Sequence, residues 1–261
     1  MNTSTENLDN VAPRVRDYAK NIAGELGVEG FLMPCIEAYI FNSIMLGIVW
    51  DIRKGKDINV DKHVQRVRKL LSEKDRAKRL ESVCRLYIEL LRRNPRVVAD
   101  IGCGLGLNLV ITKSYIGRPL LLLGVDKDLY FLKILKKIHR DVEAIQADAS
   151  MLPLRNGSVD IVFTTGVIHE LPSLKAINEF KRVLKSNGNL LIGDVVLRHV
   201  PSVILNIIRF FKTKLGIEPE TPYTLKQLYS KIRQLGMRIE NINVFWRSRV
   251  IGSVVIVATR K

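Results

Sequence analysis

The sequence predicts an α/β protein, a block of helices followed by a mostly parallel sheet covered on both faces. Three observations carry this. No strand pattern appears before Arg96, whereas Val15, Tyr18, Ala19 and Ile22 recur at helical spacing. After Pro95, short apolar runs alternate with helical segments at crossover spacing, as strands of a buried parallel sheet do. Finally, two closing strand patterns are separated by only a few residues around Arg247-Ser-Arg249 and read as a hairpin.

The elements follow in order. Pro13 suits a first helical turn; Val15, Tyr18, Ala19, Ile22, Ala23 and Leu26 form one apolar face, and Gly27 ends the helix. Phe31 to Trp50 resembles a membrane span, but Pro34, Glu37, Asn42 and Ser43 interrupt it. Its uncharged run from Ala38 to Trp50 falls short of the ~20 residues a bilayer needs, so it reads as a buried helix. Val60, Val64, Val67 and Leu71 mark a third helix, and Leu80, Val83, Cys84, Tyr87, Leu90 and Leu91 a fourth. The strand runs are 96–101, 120–125, 142–147, 159–163 and 189–193, with a helix from Ser173 to Lys185 that stops at Asn187-Gly188. Leu225, Leu228, Ile232 and Leu235 form a last helix ended by Gly236, before strands at 238–246 and 251–259. The expected division is a helical region, 1–94, and a sheet domain, 95–261.

With 47% apolar and 26% charged residues and average glycine and proline, the chain is neither disordered nor collagen-like. Its 42 Lys and Arg against 26 Asp and Glu give +16, with most of the excess after residue 95. Such a surplus suits an anionic partner, nucleic acid or membrane, or else reflects a generally basic proteome. Cys35, Cys84 and Cys103 are widely spaced without a CxxC pair, which argues against a disulfide framework and a zinc site and for a reducing compartment. The opening MNTSTENLDN is unlike a secretory leader, so the expected address is cytoplasmic.

The chemical signal begins at Asp100-Ile-Gly-Cys-Gly-Leu-Gly106, where a strand should give way to a helix. Glycines there allow a sharp turn and close approach of a ligand to backbone N–H groups. A dinucleotide fingerprint wants its third glycine at Leu107, whereas here glycines alternate at 102, 104 and 106 behind an acid. Asp100 suits a cationic amine or sulfonium better than a pyrophosphate. Asp126, ending the second run, can accept both hydroxyls of a ribose. Asp148 with Ala149, ending the third, can receive an adenine amino group and donate to its ring.

VVADIGCGLG, GVDKD, QADASMLPLRNGSVDIVFTTGVIHELP and FKRVLKSNGNLLIGDVV follow one another in order. Over residues 95–260 the chain resembles the class I S-adenosylmethionine-dependent methyltransferases, particularly the group of quinone and other small-molecule methyltransferases. The resemblance implies a Rossmann-like, seven-stranded, mostly parallel sheet with an antiparallel last strand; the helical region before it carries no family motif and is expected to form an N-terminal cap on the substrate side. It implies S-adenosylmethionine as cofactor and no metal: Gly102, Gly104 and Gly106 around it, Asp100 near its methionine amino group, Asp126 on the ribose, Asp148 and Ala149 on the adenine. Thr164, Thr165 and His169 match the segment that borders the methyl donor. Arg79 is a further candidate for the methionine carboxylate, although a solvated helix face explains it better.

Methyl transfer chiefly needs alignment of acceptor and donor and exclusion of water. A hydroxyl or phenol acceptor also needs a base, for which His169, Glu170, Asp194 and His199 are the candidates and His169 the one placed best. Packing beneath the cofactor is the other reading of His169. In Pro201 to Ile217, Ile204, Ile207, Ile208, Phe211 and Leu215 share one helical face, with Arg209, Lys212 and Lys214 elsewhere. Such a helix suits a lid over an apolar substrate, a membrane-surface contact or ordinary core packing. The expected function is methyl transfer to a small apolar, lipid- or quinone-like acceptor. The alternatives are an RNA or protein acceptor, although an appended RNA-binding module and an NPPY run are both absent, or a non-catalytic binder of the cofactor.

Overall fold

The computed structural model describes residues 8–73, 75–118, 120–198, 205, 207, 208, 210, 211, 214, 222–246, 248 and 250–261. Contacts divide the chain into two units. The first takes residues up to Asn94 with Leu105–Pro119 and Lys133–Arg140; the second takes Pro95–Gly104, Leu120–Leu132 and Asp141–Lys261.

The first unit is helical: α1 (Leu8–Glu25), α2 (Met33–Arg53), α3 (Val60–Ser72), α4 (Arg76–Leu91) and α5 (Leu107–Tyr115). α1 begins upstream of the expected start, so Pro13 lies inside it; Leu8 and Val11 are buried and extend the apolar face by a turn. α2 touches α1, α3, α4 and α5. It buries Ile36, Ile40, Ile44, Met45 and Ile48 completely, as expected of its apolar run. Among the described residues, Gly30–Arg53 is the one helical stretch long and apolar enough to cross a membrane, and 56% of its apolar window is buried inside the fold.

Several buried polar groups of this unit are paired. Asp51 Oδ2 accepts from Lys62 Nζ at 2.8 Å and lies 3.0 Å from His63 Nε2. The imidazole fits because position 47 is glycine; a Cβ there would lie 2.3 Å from His63 Nδ1. α5 is held at both ends: Tyr87 of α4 donates to Asn108 Oδ1, and the Tyr115 hydroxyl donates to the Phe31 carbonyl at 2.7 Å while accepting from Cys35 N–H at 3.3 Å.

The cysteine expectation is corrected here. Cys35 of α2 and Cys84 of α4, 49 positions apart, form a disulfide with Cα atoms 5.9 Å apart. Helix packing brings them together, which sequence spacing does not show. The bridge also removes the cysteine pattern as an argument for a reducing compartment.

The second unit is built on one sheet: β1 (Val97–Ile101), β2 (Leu121–Asp126), β3 (Glu143–Gln146), β4 (Val159–Thr165), β5 (Leu184–Leu197), β6 (Tyr223–Thr224), β7 (Arg238–Trp246) and β8 (Ile251–Thr259). The main order is β3-β2-β1-β4-β5-β8-β7, seven strands as expected, with the two-residue β6 beside the end of β5 as an addition. β1 to β5 run parallel and β8 runs antiparallel to both β5 and β7. α6 (Leu129–Ile138) starts in this unit; α7 (Ala176–Val183) and α8 (Leu225–Gln234) bury Ile177, Phe180, Val183, Leu228 and Ile232 in its core.

α7 ends earlier than the sequence suggests, because Leu184 already pairs with Val159 and starts β5. The break expected at Asn187-Gly188 lies inside the strand, where Asn187 has φ 63 and donates to the Arg260 carbonyl at 2.8 Å. Arg260 in turn donates to the carbonyls of Lys181, Arg182 and Leu184, holding the irregular crossing. α8 carries a capping box, Thr224 accepting from Gln227 N–H at 3.2 Å and receiving the Gln227 side chain on its own N–H at 2.9 Å.

Candidate active site

The proposed site residues of the second unit stand at the C-terminal ends of adjacent parallel strands, where ligands of open α/β sheets bind. Register makes the adjacency explicit: Asp100 pairs with Gly124 and Phe163, Asp126 with Gln146, and Thr165 with Gly193.

The chain leaves β1 through a turn whose three glycines are all left-handed, with φ 70 at Gly102, 49 at Gly104 and 81 at Gly106. They differ in surroundings. A Cβ on Gly102 would lie 2.2 Å from Val167 Cγ2, so that glycine is required by packing; one on Gly104 would meet nothing within 4 Å. Gly106 immediately precedes α5 and abuts Leu135, with 2.5 Å from its would-be Cβ to Leu135 Cδ1. Gly102 and Cys103 both donate to the Val125 carbonyl, at 2.7 and 3.0 Å, which lashes the turn to β2. Burial pushes the Cys103 thiol far above its usual range, with Asp100 and Asp126 adding to the shift, so Cys103 remains a neutral thiol.

Asp126 binds the turn directly: Oδ2 accepts from Gly104 N–H and Oδ1 from Asp128 N–H, each at 2.9 Å. These bonds orient the carboxylate, and each oxygen retains acceptor capacity for a further hydroxyl. Asp128, not singled out in the sequence, accepts from Tyr130 N–H at 2.9 Å and so starts α6. Asp148 is exposed; the Ser150 hydroxyl and N–H hold its carboxyl below the ordinary range against a small opposing effect of burial. Ala149 beside it is half-buried. Asp100 is 1% exposed and Thr164 fully buried, while Thr165 is partly open.

After β4 the chain passes Gly166 into a 3-10 turn, Ile168–Glu170. His169 Nδ1 stands 2.8 Å from Asp194 Oδ1, with the histidine side chain 25% and the carboxylate 1% exposed. Asp194 also accepts from Ile168 N–H at 2.7 Å, Val195 N–H at 2.6 Å and His169 N–H at 3.4 Å. Surrounded by donors, the carboxylate assigns the Nδ1–H tautomer to His169 and makes Nε2 its basic nitrogen. Asp194 therefore orients the histidine, a role the sequence had left open among four candidate bases. The parallel pairing of Thr165 with Gly193 is the signal that joins the two. His199 lies outside the described residues. Arg79 is part of α4 in the first unit and only half-buried.

Of the 201–217 segment, residues 205, 207, 208, 210, 211 and 214 are described and helical, and the rest lie outside the described residues. Leu205 is buried, but Ile207, Ile208, Phe210 and Phe211 are exposed, which removes ordinary core packing as their role.

A glycine turn after β1, an acid ending β2, another two residues beyond β3, and this strand order accompany a match of residues 99–192 to the family described as Methyltransferase domain. Over this segment the chain is similar to the class I S-adenosylmethionine-dependent methyltransferases. The chain is 33% identical over 111 residues to the mouse tRNA (carboxymethyluridine(34)-5-O)-methyltransferase ALKBH8, a match that covers 40% of this chain and 16% of that one. It is 29% identical over 123 residues to the ubiquinone/menaquinone biosynthesis C-methyltransferase UbiE of Campylobacter jejuni, 45% of this chain and 52% of the relative. The matches thus span about half or less of these relatives. Among solved structures, geranyl diphosphate methyltransferase in complex with GPP and sinefungin superposes with a TM-score of 0.57 at 14% identity, over 70% of this chain and 79% of that one. That likeness shows the shared fold. Among the described residues, no group of three or more His, Cys, Asp and Glu is arranged to hold a metal ion.

Proposed function

We propose that the methyltransferase moves the methyl group of S-adenosylmethionine to a small, largely apolar acceptor, with His169 as general base. The observation that carries this reading is the His169–Asp194 pair, in which a buried carboxylate polarises a partly exposed imidazole at the end of β4. The turn and carboxylates fit the cofactor: Gly104 leaves open space on its outer side, and Asp126 is fixed with acceptor capacity to spare. The bound cofactor supplies an electrophilic methyl on a sulfonium.

The chain's own residues do the rest. Gly102, Gly104 and Gly106 carry the backbone around the cofactor, Asp100 faces its cationic methionine end, Asp126 holds the ribose, and Asp148 with Ala149 meets the adenine. Thr165 lines the donor side of β4. His169 Nε2 takes the acceptor's proton as the acceptor attacks, and Asp194 stabilises the resulting imidazolium. This requires an acceptor with a removable proton, such as a phenol, enol or activated ring carbon. The UbiE and geranyl diphosphate methyltransferase likenesses support an apolar acceptor. The tRNA-methyltransferase relative and the net charge of +16 favour a second reading, RNA.

Radiolabelled S-adenosylmethionine with cell extract tests the proposal. Label in the organic-soluble small-molecule fraction is expected; label in RNA or protein sinks the acceptor class, and cofactor binding without transfer to any fraction indicates a non-catalytic binder. Asp194→Asn should lower turnover on the order of 100-fold with cofactor affinity unchanged. Undiminished turnover would remove His169 and Asp194 from the mechanism.

A further inference from the structure

The end of the sheet beyond β5 carries an apolar surface that neither the core nor the proposed cofactor residues use. The chain leaves β5 after Arg198 and returns as β6, which pairs with Val196 and Leu197, so both feet of the intervening segment stand at the C-terminal end of β5. The tip of the β7–β8 hairpin stands there too: Leu197 pairs with Ile251, and Arg198 N–H donates to the Val250 carbonyl at 2.9 Å. Among the described residues of these two segments, Ile207, Ile208, Phe210, Phe211, Val250 and Ile251 are between 40% and 57% exposed. Six large apolar side chains left open on these two segments call for an interacting surface.

Charge at this end is predominantly positive in the sequence. The Arg198 guanidinium lies 4.2 Å from the centre of the Trp246 ring, and Lys214 Nζ lies 4.8 Å from that of Phe210. From Val195 to Pro222 the sequence contains Arg198, Arg209, Lys212 and Lys214 against Glu218 and Glu220. From Asn241 onward it contains no Asp or Glu, and Arg247 and Arg249 lie in sequence between the two last strands. Aliphatic side chains offer nucleobases no stacking platform, which four of the six exposed residues would need to do for RNA. Apolar side chains interleaved with cations and a tryptophan suit the boundary of an anionic bilayer, where alkyl groups enter the acyl region and cations meet phosphates.

We propose that this end of the second unit docks on an anionic lipid surface. The docking deepens the reading of an apolar acceptor: β4, which leads into the turn with His169, and β5, which carries Asp194, finish at the same sheet end, so an acceptor dissolved in the bilayer has a short path to the base. It rests on the proposed function only for that purpose.

The test is sedimentation of the full chain with vesicles of phosphatidylcholine alone or mixed with phosphatidylglycerol, with S-adenosylmethionine affinity measured in parallel. Binding to the anionic vesicles only, weakened by salt, is expected. Replacing both exposed phenylalanines, Phe210→Glu with Phe211→Glu, should reduce that binding roughly tenfold or more and leave cofactor affinity unchanged. Wild-type protein that stays in the supernatant, variant protein that binds as wild type, or tighter retention on a polyuridine matrix than on the vesicles would each overturn the docking. Loss of cofactor binding by the wild type would instead overturn the proposed function, so the two failures read separately.

Discussion

Gly102 and Gly104 share a left-handed backbone yet face different neighbours. An alanine at 104 suffers the left-handed penalty, about 1–2 kcal/mol, and nothing else in the protein. At 102 the added carbon also runs into Val167. Gly104→Ala is therefore expected to fold with modest loss of thermal stability but to lose most cofactor affinity, while Gly102→Ala should lose stability first. Calorimetric titration alongside thermal melting separates the cases; normal cofactor affinity in Gly104→Ala would place the ligand elsewhere. The placement of Asp100, the glycines, Asp126 and Asp148 around the strand ends was legible in the sequence because each lies at the close of a short apolar run, a local pattern. The partnership of Asp194 with His169 was not, since 25 residues separate them and only the β4–β5 register brings them together.

Elements show the same contrast between local and distant information. Helices α2, α3, α4 and α8 follow from apolar spacing and capping, and the β7–β8 hairpin from two strand patterns with a short break. The early start of β5 was hidden because helical periodicity runs on through Leu184, which the sheet claims by pairing with Val159. The Cys35–Cys84 bridge between α2 and α4 depends on packing alone. It closes a loop of 49 positions, for which chain entropy implies about 4 kcal/mol of stabilisation. Replacing both cysteines with serine should lower the urea midpoint accordingly, and dithiothreitol should lower that of the wild type but not that of the double variant. An unchanged midpoint under reduction would mean the bridge does not form in solution.

At the scale of the whole molecule, the texture change after Pro95 shows where strands begin, but the helical unit also takes Leu105–Pro119 and Lys133–Arg140 from beyond it. Periodicity identifies these stretches as helices and says nothing about their company. A ligand that binds only the folded chain raises its stability by mass action, by about 2.7 kcal/mol at one hundred times its dissociation constant. S-adenosylmethionine and its demethylated product are both expected to raise the melting temperature, and Asp126→Ala to abolish most of the rise. Equal stabilisation of that variant would remove Asp126 from the ribose role.

β8, the final strand in chain order, is interior to the sheet, hydrogen-bonded to β5 on one side and β7 on the other. A ribosome must therefore release Thr259 before the sheet can be continuous, and until then β5 presents an open, apolar edge. Maturation of this unit waits until β8 has left the ribosome, and nascent chains halted short of residue 251 should depend on chaperones for solubility.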